Sequence, residues 1–212
     1  MGVIVSAGYV FTIEKVGFTI FNTQRDRIPI SWGLDDLIFA RIKSIGGAGV
    51  RRIAATGEAI EAYNHPKAFW QQGDSPGDVI RRVAGPIECK RYLVITRQTG
   101  QLPNTNMAIT GIGVVQHSIF GYTSVFALIK LDLLDGRSFE LQHNPNDNFN
   151  RVFSDAAENF GGARGMQKID NSAYPDAPSD AANSALLRDT ARALLTARLD
   201  KDIPAYFAQG EQ

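Results

Sequence analysis

The stretch that decides the fold runs from Ala108 to Gln142 and reads AITGIGVVQHSIFGYTSVFALIKLDLLDGRSFELQ. From Val125 to Leu133 every second residue is apolar, whereas the alternate set turns polar toward Asp132. Successive side chains of a strand point to opposite faces, so one face of this segment must be covered and the other meets water at one end. The stretch predicts two long antiparallel strands joined by a short turn at 118–122.

A second turn is predicted at Asp135-Gly136, because both central positions of a tight hairpin turn need positive φ. Residues from Ser138 onward then form a third strand that pairs back. Upstream of the hairpin, strands alternate with helices, and this order implies parallel crossover connections. The sequence therefore predicts an α/β (α+β) fold, in which a mixed β-sheet with a long antiparallel hairpin is covered by helices.

Near the end of the chain, Gly, Asp, Asn and Pro are frequent between residues 161 and 178 and show little periodicity. This composition predicts an irregular excursion. The final helix is expected to start near Ser179 and to stop before Pro204, because proline inside a helix removes a backbone donor. We expect residues 1–212 to form a single domain with this excursion and a C-terminal helix.

Charge excludes some classes of partner. Twenty-two basic residues balance twenty-two acidic ones in a chain of 212 residues. No global field attracts nucleic acid or an anionic membrane, so we expect no nucleic-acid partner. Hydrophobic residues make up 44% of the chain, which is typical of a soluble globular protein. No apolar run approaches the ~20 residues of a membrane-spanning helix, and no transmembrane segment is expected.

Metal and cofactor motifs are missing from the sequence. A single cysteine, Cys89, excludes an internal disulfide and cysteine-based zinc sites. His65, His117 and His143 lack metal-binding spacing, although the fold could bring two of them together with a carboxylate such as Asp132. From the sequence we expect no metal and no cofactor. One unpaired thiol is compatible with either the cytoplasm or a bacterial envelope.

One short motif points to hydrolysis. Gly73-Asp74-Ser75 resembles the serine block of the GDSL-type esterases, but the strand before the serine and the downstream Asp-x-x-His of that block are missing. The same serine, followed by Pro76 and Asp78, also has the pattern of a helix N-cap. The candidate catalytic residues are Ser75, Asp74 and His117, for a small hydrolase that uses Ser75 or a His/carboxylate site.

The turn of the long hairpin carries three large apolar side chains, Ile119, Phe120 and Tyr122. Such a tip, when exposed, indicates contact with a partner, and when buried it packs under the C-terminal helix. We take these three residues as candidate binding residues for a protein partner.

The segment Lys90-Arg-Tyr-Leu-Val-Ile-Thr and the later Leu-Asp-Leu-Leu-Asp-Gly-Arg-Ser-Phe-Glu carry a family resemblance. They resemble the α/β domain shared by the curli-secretion lipoprotein and the amino-terminal domain of the Tol-system propeller protein of bacterial envelopes. The likeness covers Lys90 to Leu141. This chain differs by an extra strand pair at its start, by the absence of a lipid-attachment cysteine there and by the excursion, so membrane anchoring and pore formation are not carried over.

The resemblance implies a non-enzymatic, protein-binding role in the bacterial cell envelope. Together with the absence of a catalytic motif, it predicts a protein- or ligand-binding domain. A small hydrolase is the alternative.

Overall fold

The computed structural model describes residues 1–17, 23–65, 74–85, 87–102, 105, 107–117, 121–142 and 165–208. Within these ranges the chain forms eleven strands and five α-helices. Strands β1 to β11 are Gly2–Ser6, Val10–Val16, Gln24–Pro29, Arg51–Arg52, Arg91–Arg97, Thr99–Gln101, Ala108–Thr110, Ile112–His117, Tyr122–Ala127, Ile129–Asp135 and Met166–Ile169. Helices α1 to α5 are Leu34–Gly46, Gly57–Asn64, Pro76–Ala84, Pro178–Asn183 and Ala185–Ala208.

The strands build two mixed sheets and a small hairpin. The first sheet has the order β10-β5-β1-β4, with β10 antiparallel to β5 and the other pairs parallel. The second sheet has the order β11-β9-β8-β2-β3, in which only the β2–β8 pair is parallel. The predicted fold class, a mixed α/β fold with helices over the strands, is confirmed, but two mixed sheets replace the single predicted one.

Two segments run directly from one sheet into the other. β1 continues through Ala7 and Gly8 into β2, and the backbone N–H groups of both residues donate to Asp35 Oδ1 at 2.9 and 2.8 Å. Gly8 is required there because a Cβ would lie 2.4 Å from the Cβ of Leu34. β9 continues through Leu128 into β10, so the second strand of the predicted hairpin divides between the two sheets.

One continuous hydrophobic core joins both sheets to helices α1 and α5. The faces that meet these helices are called the inner faces. The sheets contribute buried side chains such as Val3, Leu93, Ile95, Leu131, Phe11, Val114 and Val125. The helices contribute the stripes Leu34, Ile38, Ile42 and Leu187, Ala191, Leu195, Leu199, whose spacing of four residues places them on one side of each helix.

The opposite, outer faces are covered by different elements. Over the first sheet lie α2 and α3, which bury Ile60, Tyr63, Val79 and Ile80 against Ile4 and Val94. Over the second sheet lies the β6–β7 hairpin, where Leu102 and Ile109 pack on Val115 and Phe126. The first sheet is therefore the middle of a helix–sheet–helix arrangement.

The turn after β10 is wider than the predicted two-residue turn. The N–H of Asp135 donates to the carbonyl of Glu140 at 3.0 Å, so four residues lie between them. Asp135 Oδ1 accepts the N–H groups of Arg137 and Ser138, and these bonds stabilise the larger loop. The predicted third strand is reduced to one bridge, Leu134 with Leu141.

The C-terminal helix differs from its prediction in extent. A short helix, α4, precedes α5, and α5 runs through Pro204 to Ala208. Proline inside a helix costs about 3 kcal/mol, but Ile203 and Tyr206 on either side are fully buried and hold the last turns in place. The described part of the predicted irregular excursion, residues 165–178, contains the strand β11, which pairs with β9. No helix among the described residues is long and apolar enough to cross a bilayer.

Candidate functional site

The order of the strands in the first sheet singles out one place on the molecule. α1, on the inner face, leads the chain into β4 on one side of β1, and α2 and α3, on the outer face, lead it from β4 to β5 on the other side. The strand order therefore reverses between β1 and β5. In open α/β sheets, ligands bind outside the carboxyl ends of the strands at such a reversal. Ser6 and Thr96 form the last paired positions of these two strands.

Polar residues gather at this end of the outer face. Ser6, Thr96 and Lys130 lie opposite one another across β1, β5 and β10. In the next row of the same face, Asp132 lies opposite the apolar Val94. Because side chains alternate between the two faces of a strand, Lys130 and Asp132 project on the same side, away from the main core.

Asp132 is a buried carboxylate with one hydrogen bond and one ion-pair contact on the same oxygen. The hydroxyl of Tyr63, from α2, donates to Asp132 Oδ2 at 2.7 Å, and Lys130 Nζ lies 2.7 Å from the same atom. The Lys130 side chain is 53% exposed, whereas that of Asp132 is 6% exposed. A buried charge is tolerated only when it is paired and hydrogen-bonded, and both conditions are met here. Tyr63, Thr96, Lys130 and Asp132 are called the junction cluster.

Tyr63 acts in this cluster as a fixed hydrogen-bond donor. Burial raises the pKa of its phenol above the usual value, and the negative charge of Asp132 and the hydrogen bond to it raise the pKa further. The hydroxyl therefore stays protonated over the physiological range. Lys130 Nζ also lies 6.0 Å from the centre of the Tyr63 ring, within the range of a cation–π interaction.

Thr96 is the member of the cluster that the fold does not satisfy. The residue is fully buried, and its hydroxyl oxygen has no hydrogen-bond partner among the described residues. Leaving a buried hydroxyl unpaired costs about 1–3 kcal/mol. By contrast Thr123, equally buried in the second sheet, donates to Asn171 Oδ1 at 2.9 Å. A buried hydroxyl without a partner, at the end of a strand where ligands bind in this type of sheet, makes Thr96 a candidate binding residue.

The structure uses Ser75 and Asp74, two of the predicted catalytic residues, at the start of α3. Ser75 Oγ accepts the N–H of Asp78 at 3.2 Å, and Asp78 Oδ2 accepts the backbone N–H of Ser75 at 3.2 Å, which completes a capping box; Ser75 Oγ also donates to Asp78 Oδ2 at 2.7 Å. These bonds to Ser75 lower the pKa of Asp78 below its usual range. Asp74 forms an ion pair with Arg82. A catalytic role for either residue stays a prediction.

His117, the third predicted catalytic residue, lies at the end of β8 in the second sheet and is not brought to Ser75, which lies over the first. Burial lowers the pKa of His117, so the neutral ring is favoured. Its ring stacks on Tyr122, with 5.5 Å between the centroids, and Lys168 Nζ lies 5.2 Å from the centre of the Tyr122 ring. The chain's own side chains therefore contact the one described residue of the predicted tip. Ile119 and Phe120 lie outside the described residues, and partner binding by the tip stays a prediction.

The sequence holds one feature that could have indicated the junction cluster. Lys130 and Asp132 are two polar residues with a spacing of two, and the residues between Ile129 and Leu134 are otherwise apolar. That spacing places both on one face, which suggests a shared role. Tyr63 gave no such indication, because its contact with Asp132 joins residues 69 positions apart and depends on how α2 crosses the sheet.

No protein-family model, no curated protein and no solved structure matches this chain. The likeness to the curli-secretion and Tol-system domains, and the envelope role that it implies, therefore stay predictions. Among the described residues, no three His, Cys, Asp or Glu side chains lie close enough to hold a metal ion.

Proposed function

We propose that this chain is a non-enzymatic binding domain that holds a small polar ligand at the junction cluster. The buried, unpaired hydroxyl of Thr96 carries the proposal. Natural proteins pair almost all of their buried polar groups, so an unpaired hydroxyl is evidence for a missing partner. Its place beside β1, where the strand order reverses, favours a ligand as that partner.

The chemistry of the cluster favours binding over catalysis. A general base or a nucleophile must give or take a proton near neutral pH. Lys130 Nζ forms an ion pair with the carboxylate 2.7 Å away, and Tyr63 keeps its proton because burial raises its pKa. Asp132 Oδ2 already accepts the hydrogen bond from Tyr63 and contacts Lys130 as an ion pair. These groups are fixed donors and acceptors, which is what a binding site requires.

Two further parts of the sequence interpretation remain proposals of lower rank. A small hydrolase would be supported by turnover of an ester panel that is lost in Ser75→Ala, with Ser179→Ala, a substitution of another serine near a helix start, as the control. The place of the chain in a bacterial envelope, and a protein as its partner, follow from the family resemblance alone.

Native mass spectrometry of protein purified from its own source, without metal-affinity resin, tests the proposed function. We expect a retained small molecule on the wild-type chain and its loss from Thr96→Val. Thr99→Val is the matched control, because Thr99 lies in the next strand and is exposed. Retention by both variants, or a wild-type chain that carries no small molecule, would contradict the proposal.

A further inference from the structure

We infer that the ligand of the junction cluster is a neutral compound with adjacent hydroxyl groups, such as a sugar or a polyol. The inference rests on the proposed function and names the chemical class of its ligand. It is argued from the charges of the cluster and from the hydrogen-bonding positions that its members leave open.

The charges of the cluster cancel. Lys130 contributes one positive charge and Asp132 one negative charge at a distance of 2.7 Å, while Tyr63 and Thr96 are neutral. An anion placed on Lys130 would meet the carboxylate just behind it. A cation placed on Asp132 would have to displace Lys130. An ion of either sign must therefore oppose or break an existing pair, whereas a neutral ligand leaves the pair intact.

The junction cluster leaves both hydrogen-bond donors and hydrogen-bond acceptors unused. An ammonium group has three N–H donors, and one contact of Lys130 is directed to Asp132 Oδ2, so donors remain. Asp132 Oδ1 accepts no hydrogen bond from the described residues, because both contacts fall on Oδ2. The Thr96 hydroxyl can donate once and accept twice, and it does neither. The site therefore offers donors and acceptors side by side.

A hydroxyl group matches this mixture, because each one donates and accepts at the same time. Two hydroxyls on neighbouring carbon atoms can accept from Lys130 and donate to Asp132 Oδ1, and either one can pair with Thr96. A carboxylate offers acceptors alone and leaves Asp132 Oδ1 without a donor, and a phosphate places further negative charge beside that carboxylate. An ammonium group offers donors alone and leaves Lys130 without an acceptor.

Ligand-observed saturation-transfer NMR on the full chain tests the inference. The hydroxylated probes are D-glucose, D-ribose and myo-inositol, the probe with one hydroxyl removed is 2-deoxy-D-ribose, and the charged probes are acetate and inorganic phosphate. Direct observation of the probe is preferable to a thermal shift, because sugars stabilise folded proteins generally by being excluded from their surface. We expect transfer to at least one hydroxylated probe and to neither anion. Where D-ribose binds, we expect less transfer to its deoxy analogue.

The variants tie the binding to the cluster. Thr96→Val should weaken the affinity roughly fivefold to tenfold, which corresponds to one lost hydrogen bond, and Thr99→Val should leave it unchanged. Asp132→Asn is a second variant, expected to weaken binding by a similar factor. Binding of acetate or phosphate that is lost in Thr96→Val would overturn the neutral ligand class and support the proposed function. Absence of binding by every probe would overturn the ligand class, and a wild-type chain without a retained molecule would overturn the function as well.

Discussion

The outer faces of the two sheets each bury one carboxylate beside a cation that is about half exposed. In the first sheet Asp132 pairs with Lys130, and in the second Glu14 pairs with Arg25. Glu14 Oε1 accepts from Arg25 Nε at 3.0 Å and also from Arg25 Nη2, while Glu14 Oε2 has no partner among the described residues. The two pairs look alike in burial, but they differ in what they connect.

Glu14 and Arg25 lie opposite each other on the paired strands β2 and β3, so their contact follows from the register. Arg25 Nη2 also donates to the carbonyl of Ala108, which ties β7 to the same edge. Asp132 instead joins β10 to α2 through Tyr63. The Glu14–Arg25 pair therefore connects neighbouring strands at an edge of the second sheet. The Asp132–Lys130 pair lies next to the unpaired Thr96 hydroxyl, and Asp132 also connects α2 to the first sheet.

The largest effect is expected from Arg25→Met. This change leaves the fully buried Glu14 without its cation and removes the hydrogen bond to Ala108. Breaking a buried pair costs about 3–5 kcal/mol, and the partial exposure of Arg25 places the loss of unfolding free energy at about 3 kcal/mol. Lys130→Met should cost only about 1–2 kcal/mol, because Tyr63 still donates to Asp132. Urea unfolding measures both, and equal losses would remove the distinction between the two pairs.

The next effect is expected from Tyr63→Phe, which removes a donor from a buried carboxylate. Hydrogen bonds to charged groups contribute about 1.5–3 kcal/mol, so we expect a loss of about 2 kcal/mol. Tyr92→Phe is the control, since the buried Tyr92 hydroxyl donates to the neutral carbonyl of Ile87 and accepts the N–H of Cys89, and the loss of these two neutral bonds should cost about 1–2 kcal/mol. A loss for Tyr63→Phe smaller than that of the control would mean that the contact with Asp132 adds nothing beyond a neutral hydrogen bond.

The raised pKa of Tyr63 also predicts that the free energy of unfolding falls at alkaline pH. Its folded-state pKa is raised above the unfolded value of about 10, so its contribution to stability is complete below pH ~10 and is lost as the pH rises. Each pH unit above ~10 should remove about 1.4 kcal/mol of unfolding free energy on account of this one proton. Tyr63→Phe should reduce the slope by that amount in chemical unfolding at several pH values.

Tyr174 provides the internal comparison for that slope. Burial, followed by the negative charges of Asp26 and Glu14, raises the pKa of Tyr174 to about 12. Its contribution should therefore be lost between pH ~10 and pH ~12 and then level off. An unchanged slope in Tyr63→Phe would contradict the assignment of Tyr63 as a fixed donor.

The features that could be predicted from the sequence are those set by neighbouring residues. The start of α3 at Ser75-Pro76 is one, because the capping bonds join residues three apart. The division of the long strand at Leu128 could not be predicted, because its apolar alternation continues unbroken while both sheets share one inner core. The predicted end of α5 was wrong for a similar reason, because the buried neighbours of Pro204 outweigh the tendency of proline to end a helix. The partners of Asp132 and Thr96 depend on how distant elements pack, and no local pattern records that.

The smallest effect separates a binding hydroxyl from a structural one. Thr96→Val keeps the shape of the side chain and removes a buried hydroxyl that makes no hydrogen bond, so the free energy of unfolding should rise by about 1 kcal/mol. Thr123→Val, an equally buried substitution, breaks the bond to Asn171 and should lower the stability by about 1 kcal/mol. Urea unfolding of both variants gives the sign directly. If Thr96→Val lowered the stability as Thr123→Val does, the Thr96 hydroxyl would belong to the fold, and the main observation in favour of a ligand at the junction cluster would be lost.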